Sequence, residues 1–100
     1  MPNTHVYEVF FNEKGERMAT VYDYTQQKEI VIQDPNIRMS NALNMDIGDY
    51  IEFDSRYHGW VDGRIIRITN APSCRDEYKI EYMIEGDDTI YYDEVEGQFL

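Results

Sequence analysis

Three aromatic residues and a pair of carboxylates in the second half of the chain are the groups best suited to bind a ligand. Tyr57 and Trp60 lie in or beside a predicted turn, Tyr82 lies on a predicted strand, and Asp87 and Asp88 belong to an acidic turn. The face of an aromatic ring attracts a cation, and a nearby carboxylate neutralises its charge. These residue types predict a pocket for an alkylated ammonium or guanidinium group.

A run of acidic residues continues from these candidates toward the carboxyl terminus. Between Glu81 and Glu96 the chain has seven acids and no lysine or arginine. Such a run is often only a solvated face that keeps a small domain in solution. A surface of one charge also attracts basic partners and accelerates their association. Besides the pocket residues, the acids of this predicted partner-binding surface are Glu81, Glu85, Asp93, Glu94 and Glu96.

The charge balance and the cysteine count exclude several classes of function. Twenty acidic against nine basic residues give a net charge of −11 over 100 residues, so direct nucleic-acid binding is not expected. Cys74 is the only cysteine, which excludes an internal disulfide and favours an intracellular compartment, cytoplasmic or nuclear. No apolar run has the length of a membrane span. We therefore expect a basic protein or peptide as the partner, and leave the oligomeric state open.

Motifs for catalysis and for cofactor binding are missing from the sequence. His5 and His58 are far apart, and neither lies in a zinc-binding spacing such as His-Glu-x-x-His. Neither a Gly-x-Ser-x-Gly elbow nor a glycine-rich phosphate loop occurs. Adjacent carboxylates such as Asp87 and Asp88 need a walled cleft to acquire catalytic pKa values, and a domain this small rarely provides one. The sequence predicts a protein that is not an enzyme and that holds no metal or cofactor.

The elements that position these residues are predicted to be short β-strands. Residues 5–11, 17–24 and 29–33 alternate apolar and polar side chains, which indicates an antiparallel three-strand meander within residues 5–34. Asp34-Pro35-Asn36 ends the third strand because proline has no N–H for the ladder. Residues 35–47 have no clean period and are predicted to be a connector.

The second half, residues 48–97, holds four further predicted strands within the same single domain of residues 1–100. Ile65, Ile66 and Ile68 break the alternation of the longest strand, which indicates a bulge or a bend. We expect a mostly β protein with one continuous core. By strand parity its members are Val9, Phe11, Val21, Ile30, Ile32, Ile51, Phe53, Ile66, Ile68, Ile80, Tyr82 and Ile90.

Four stretches of this second half follow one another in a familiar order: Gly48–Phe53, Gly59–Ile66, Tyr78–Tyr82 and Gly86–Thr89. About half of the chain thus resembles the Tudor-like barrels of the Royal superfamily, which include Tudor and Agenet domains. The resemblance implies a small SH3-like barrel over about residues 47–97, with the meander packed against it or completing a second small sheet.

The resemblance also implies a pocket for methylated lysine or arginine at one end of the barrel. Tyr57, Trp60 and Tyr82 would form its walls, and Asp87 or Asp88 would accept a remaining N–H proton. One departure from the family is clear: Ile84 and Glu85 stand where a further cage aromatic is common.

Each ring also has a structural alternative. Tyr82 shares a predicted strand face with Tyr78 and Ile80, so it fits a core position with its hydroxyl at the rim. Trp60 suits a plug of the barrel as well as a pocket wall. Tyr57 lies in a predicted turn, where exposure and a contact role are expected.

A second function of a different class is compatible with the same composition. A small acidic protein can imitate DNA phosphates with spaced carboxylates and occupy the groove of a nucleic-acid-binding complex, as phage anti-restriction and anti-CRISPR inhibitors do. Such a DNA mimic also has a basic protein as its partner, so the composition does not separate it from a peptide-binding module.

Overall fold

In a computed structural model of the chain, residues 4–39, 44–55, 59–70 and 77–96 are described. These residues form seven antiparallel β-strands and contain no helix. Nowhere in this part of the chain is there a helix with the length and apolar character needed to cross a membrane. The strands are β1 (Thr4–Phe11), β2 (Arg17–Asp23), β3 (Lys28–Gln33), β4 (Tyr50–Ser55), β5 (Gly59–Asn70), β6 (Glu77–Ile84) and β7 (Ile90–Glu96).

All seven strands belong to one sheet in the order β3-β2-β1-β5-β6-β7, with β4 paired to β5 beside this path. The mostly β prediction and the antiparallel meander of β1, β2 and β3 are confirmed. The closed SH3-like barrel is not confirmed, because the sheet is open. The meander does not form a second sheet either, since β1 pairs directly with β5.

The length of β5 explains this topology. Its first six residues pair with β4, and residues 67–69 pair on the same edge with β1. Between them, Ile65 exchanges backbone hydrogen bonds with the two residues that follow the connector: Gly48 N–H donates to the Ile65 carbonyl at 2.8 Å, and Ile65 N–H donates to the Asp49 carbonyl at 2.9 Å. One edge of β5 is therefore bonded in succession to β4, to residues 48 and 49, and to β1.

Two β-bulges set which side chains face the core. The register of β5 against β6 shifts between Ile65 and Arg67, as the broken alternation predicted. Ile65 is fully buried, whereas the extra residue Ile66 is only partly buried, so the prediction of Ile66 as a core residue is wrong. A second bulge, between Val6 and Glu8, was not predicted, and it turns Val6 toward the core face.

The core lies on one face of the sheet and is covered by the connector. Met45 is 9% and Ile47 is 3% exposed, and both pack with the inward side chains of the strands. The guanidinium of Arg17 on β2 holds this segment by donating two hydrogen bonds of 2.9 Å to the two carboxylate oxygens of Asp46. A third donor bond, of 3.1 Å, reaches the carbonyl of Ile37.

The predicted core is confirmed at its centre and wrong at its margin. Ile90 is 56% exposed because its position on β7 faces away from the core. The Phe53 side chain lies outside the described residues. Confirmed as buried are Val9, Val21, Ile68, Ile80 and Tyr82, and Phe11, Ile30, Ile32 and Ile51 pack partly buried against them. Not predicted were Ala19, Met45, Ile47, Ile65 and Tyr78.

Replacing Asp46 by alanine tests the ion pair that fastens the connector. We expect Asp46→Ala to lower the free energy of unfolding by about 2–3 kcal/mol, since it removes a charged acceptor and leaves a largely buried guanidinium without it. Urea denaturation followed by circular dichroism measures the change. Glu13→Ala, at an exposed turn position, should stay within about 0.5 kcal/mol of the wild type. If Asp46→Ala and Glu13→Ala lowered the free energy of unfolding equally, the stabilising role of the ion pair would be contradicted.

Candidate functional site

The two faces of the sheet have different environments. The core face is covered by the connector, whereas no other described segment covers the opposite face, which we call the open face. Residues paired across antiparallel strands share a face, so the register assigns each strand side chain to one of them. The exposed large hydrophobic side chains lie on the open face. The strand register places all of them there except Tyr24, which is placed by its contact with Tyr22. They are Tyr24, Val31, Tyr50, Trp60, Ile90 and Tyr92, with exposures from 56% to 70%.

The centre of the open face is an internally paired network. The Arg67 guanidinium lies 2.8 Å from Glu8 and 3.7 Å from Glu81, and the ammonium of Lys79 lies 3.8 Å from Glu81. Arg67 also lies 4.4 Å above the ring of Phe10, and Lys79 lies 4.6 Å from the ring of Tyr92. These cations already have carboxylate and ring partners, so a ligand site is better sought at the margin of this face.

A pocket of about 460 Å³ lies at that margin, where β4, β5 and β6 meet the β6–β7 turn. Tyr50, Arg64 and Met83 are consecutive cross-strand partners, so the sheet places their side chains next to one another. Gly86 adopts a positive φ of 83°, which allows the tight turn that closes one end. The lining residues are Tyr50, Arg64, Ile66, Met83, Ile84, Glu85, Gly86, Asp87 and Asp88.

Hydrogen bonds fix the acidic turn at the end of this pocket. The Tyr91 hydroxyl donates to one carboxylate oxygen of Asp87 at 2.6 Å, and the Thr89 N–H donates to the other at 2.8 Å. The hydrogen bond to Asp87, reinforced by desolvation, raises the pKa of the Tyr91 phenol. Tyr91 in turn stacks on the buried ring of Tyr82, with ring centroids 5.9 Å apart. The turn is thereby joined to the core.

The structure does not bring together the rings that the sequence suggested. Tyr82 is 1% exposed and lies in the core, which corresponds to its structural alternative. Trp60 is 70% exposed. Trp60 lies five residues before Ile65 on β5 with no bulge between them, so their side chains are on opposite faces of the sheet. Ile65 is the cross-strand partner of Tyr82 and shares its face, so the rings of Trp60 and Tyr82 are on opposite faces as well. Tyr57 lies outside the described residues.

The predicted acidic residues divide between several environments. Asp87, Asp88 and Glu85 all line the pocket; Asp88 and Glu85 are exposed, and Asp87 is partly buried. Glu81 belongs to the paired network at the centre of the open face.

The acids of β7 alternate between the faces. Asp93 pairs across the ladder with the buried Ile80 and thus lies on the core side, whereas Glu94 is exposed and lies opposite Lys79. The side chain of Glu96 lies outside the described residues. The acidic run therefore does not form one continuous surface.

Sequence reasoning missed the contribution of β4 and β5 to the pocket. Tyr50 alternates with the inward Ile51 and is 70% exposed, which the strand period alone indicated. Arg64 is its cross-strand partner, and its guanidinium lies 4.8 Å above the ring of Phe11. The β6–β7 turn lies beside this pair because β5 pairs with β6. No local sequence pattern specifies that pairing.

Within the described ranges, no group of three or more His, Cys, Asp or Glu side chains is arranged to hold a metal ion. Comparisons of the chain with protein-family models, with curated proteins and with solved structures find no match. The open face and its pocket are therefore the features that bear on function.

Replacing Asp87 tests the link between the turn and the core through the pKa of Tyr91. We expect Asp87→Asn to lower this pKa toward the usual value of about 10, because the carboxylate that stabilises the neutral phenol is lost. An NMR pH titration of the assigned Tyr91 ring measures the shift. Asp88→Asn, one residue further along the turn, should leave it unchanged.

The same shift makes stability depend on pH in a defined direction. Because the pKa of Tyr91 is raised in the folded state, its stabilising effect is complete below about pH 10 and is lost as the pH rises through the folded-state pKa. Asp87→Asn should make this alkaline loss smaller in denaturation curves at pH 9 and pH 11. An unchanged Tyr91 titration in Asp87→Asn would contradict the proposed cause.

Proposed function

We propose that the protein is a non-catalytic binding module for a basic segment of another protein, and that the pocket beside the β6–β7 turn receives one cationic side chain. The observation that carries this proposal is the composition of the pocket. The highly exposed ring of Tyr50 stands at one side, and three carboxylates, Glu85, Asp87 and Asp88, stand at the other. Ring and carboxylates together suit a lysine or arginine side chain.

The balance of ring and carboxylate favours a cation that still carries N–H groups. One exposed ring contributes about 0.5–1 kcal/mol of cation–π attraction, less than an enclosing cage of several rings. Carboxylates, in contrast, form their strongest hydrogen bonds with charged N–H donors, which trimethylation of lysine removes. We therefore propose lysine or arginine, unmethylated or partly methylated, as the preferred side chain.

Arg64 is the one cation among the pocket-lining residues, and its charge opposes the binding of a cationic ligand. Its guanidinium is 4.8 Å from the ring of Phe11, so an aromatic contact already holds it. Three carboxylates against one guanidinium leave the pocket with an excess of negative charge. The overall charge of −11 adds long-range attraction of a basic partner, which increases the association rate at low salt.

A Tudor-like origin of residues 48–97 belongs to the same proposal. Residues of β4 and β7 approach within 8 Å between Cα atoms, although no ladder joins these strands in the described part of the chain. This approach supports a sheet that curls toward a barrel without closing. The pocket lies near one end of the curled region, between β4 and the turn that precedes β7.

Titration with short peptides tests the pocket. We expect a peptide Ac-Gly-Thr-Lys-Thr-Gly-NH₂ to shift the NMR signals of Tyr50 and of the β6–β7 turn, and its trimethyl-lysine form to bind more weakly. Glu85→Gln combined with Asp88→Asn should weaken binding about five- to tenfold because two charge-assisted acceptors are lost. Tyr50→Ala should weaken it about two- to fivefold through the lost ring contact.

Tyr24→Ala is the matched control, since this tyrosine is also exposed on the open face but lies away from the pocket. It should leave the affinity unchanged. Equal binding of a peptide with glutamine in place of lysine would contradict the proposal.

A second candidate function, the DNA mimic, is favoured by a different observation. Glu52 and Asp54 are both exposed and stand two residues apart on β4, so their carboxylates repeat at about 6.6 Å along one face of the strand. Two evenly spaced negative charges are a minimal imitation of a phosphate backbone. They support occupation of a nucleic-acid-binding groove in a partner protein as the second function.

Competition with DNA distinguishes the mimic from the peptide-binding module. A mimic should displace a fluorescent duplex from a basic DNA-binding protein at low salt, and Glu52→Gln with Asp54→Asn should raise the concentration needed for half displacement about tenfold. Fluorescence anisotropy measures the displacement. If the double variant competes as well as the wild type, the two carboxylates on β4 do not act as a mimic.

A further inference from the structure

The outer side of the β4–β5 hairpin is a second surface with unusual composition, and we call it the hairpin face. Its register pairs Tyr50 with Arg64, Glu52 with Asp62 and Asp54 with Trp60. Because these pairs alternate with the inward residues Ile51, Gly63 and Val61, all six side chains belong to the open face. The pocket described above contains only the Tyr50 and Arg64 end of this surface.

The central pair of the hairpin face carries two negative charges in direct opposition. Directly opposed residues in an antiparallel ladder have Cβ atoms about 4.5–5.5 Å apart, and like charges at this distance repel. Glu52 and Asp62 are both exposed, and Asp54 stands beside them on β4. None of the ion pairs formed by the described residues includes any of these three acids.

Acids that lie opposite one another without a cation are not a general feature of the open face. At the centre, the register places Arg67 opposite Glu81 and next to Glu8, so that each strand acid there has a cation. Among the described residues of the hairpin, Arg64 is the only cation, and its guanidinium lies over the ring of Phe11. Positions where a sequence opposes its own local stability are often positions where it binds something.

Two exposed aromatic rings flank the unpaired acids. Trp60 lies opposite Asp54 and Tyr50 lies two residues before Glu52, and each is 70% exposed. These are the two highest exposures among the large hydrophobic residues of the described ranges. Exposed tryptophan and tyrosine are typical of the contact residues of binding surfaces, because they bury a large area with few rotatable bonds.

We propose that the hairpin face is a docking surface for an extended segment of a partner protein with lysine or arginine at alternating positions. The charge complementarity is direct: a cation between Glu52 and Asp62 neutralises the repulsion of both. Alternate residues of an extended chain repeat at about 6.6 Å, the same repeat that separates Glu52 from Asp54. The aliphatic stems of the bound lysines pack over the ring of Trp60.

This inference rests on the proposed function in one respect, since both assume a basic partner. It adds a second set of contacts and the conformation of the bound segment. Tyr50 belongs to both surfaces, so a segment that lies along the hairpin face can place its next cationic side chain in the pocket.

Titration with the peptide Ac-(Lys-Thr)₄-NH₂ tests the docking surface. Trp60 is the only tryptophan of the chain, so its fluorescence reports contacts at the hairpin face. We expect a saturable fluorescence change that reverses as salt increases. We expect Glu52→Gln combined with Asp62→Asn to weaken binding about tenfold and, because the repulsion is relieved, to raise the melting temperature.

The opposite signs of these two effects separate docking from a structural role. Glu13→Gln combined with Glu29→Gln changes the net charge equally at exposed positions away from the hairpin. This control should stay within about twofold of the wild-type affinity, since only long-range attraction changes. Trp60→Ala should weaken binding about fivefold in an NMR titration through the lost ring contact.

The docking surface would be overturned, and the pocket supported, by one combination of results. In it, the variant with Glu52→Gln and Asp62→Asn keeps the wild-type affinity, whereas the variant with changes at Glu85 and Asp88 binds more weakly. Weaker binding only in the hairpin variant would support the docking surface and overturn the pocket. Unchanged binding in both variants, or equal binding of Ac-(Gln-Thr)₄-NH₂, would overturn both.

Discussion

The bidentate ion pair between Arg17 and Asp46 fastens the connector to one face of a single-layered sheet. Asp46 lies between the buried residues Met45 and Ile47, so the pair brings two apolar side chains onto the core while its own charges stay at the margin. The next residues continue into the backbone hydrogen bonds with Ile65 that lead the chain to β4. One face of the sheet is covered in this way, and the opposite face is the exposed one in the described part of the chain.

The open face uses its acidic residues in two ways, and the strand register decides which. In the central strands Glu8 and Glu81 lie within reach of Arg67, so their charges contribute to the cohesion of the sheet. On the hairpin, Glu52 faces Asp62 and has no cation in the described part of the chain. A protein with a net charge of −11 has too few cations to pair every acid, and the three unpaired acids of the hairpin stand beside the exposed rings of Tyr50 and Trp60.

Part of the candidate site was predictable from the sequence, and part was not. Asp87 and Asp88 were identified because glycine and adjacent acids mark a turn, and they do line the pocket. Tyr82 was placed among the ligand-binding rings, although the alternation with Tyr78 and Ile80 already allowed a buried position. Its exposure of 1% follows from the side of the sheet that the connector covers, and a strand pattern does not specify that side.

The strands, the turn at Gly86, the bulge near Ile66 and the excess of negative charge could be predicted from the sequence, because these depend on local alternation, turn chemistry and composition. The tertiary structure was needed to establish that β5 pairs with both β4 and β1, and that the sheet is open. It also decided which acids meet a cation and which meet another acid. Cross-strand contacts join residues far apart in the sequence, and no local pattern encodes their partners.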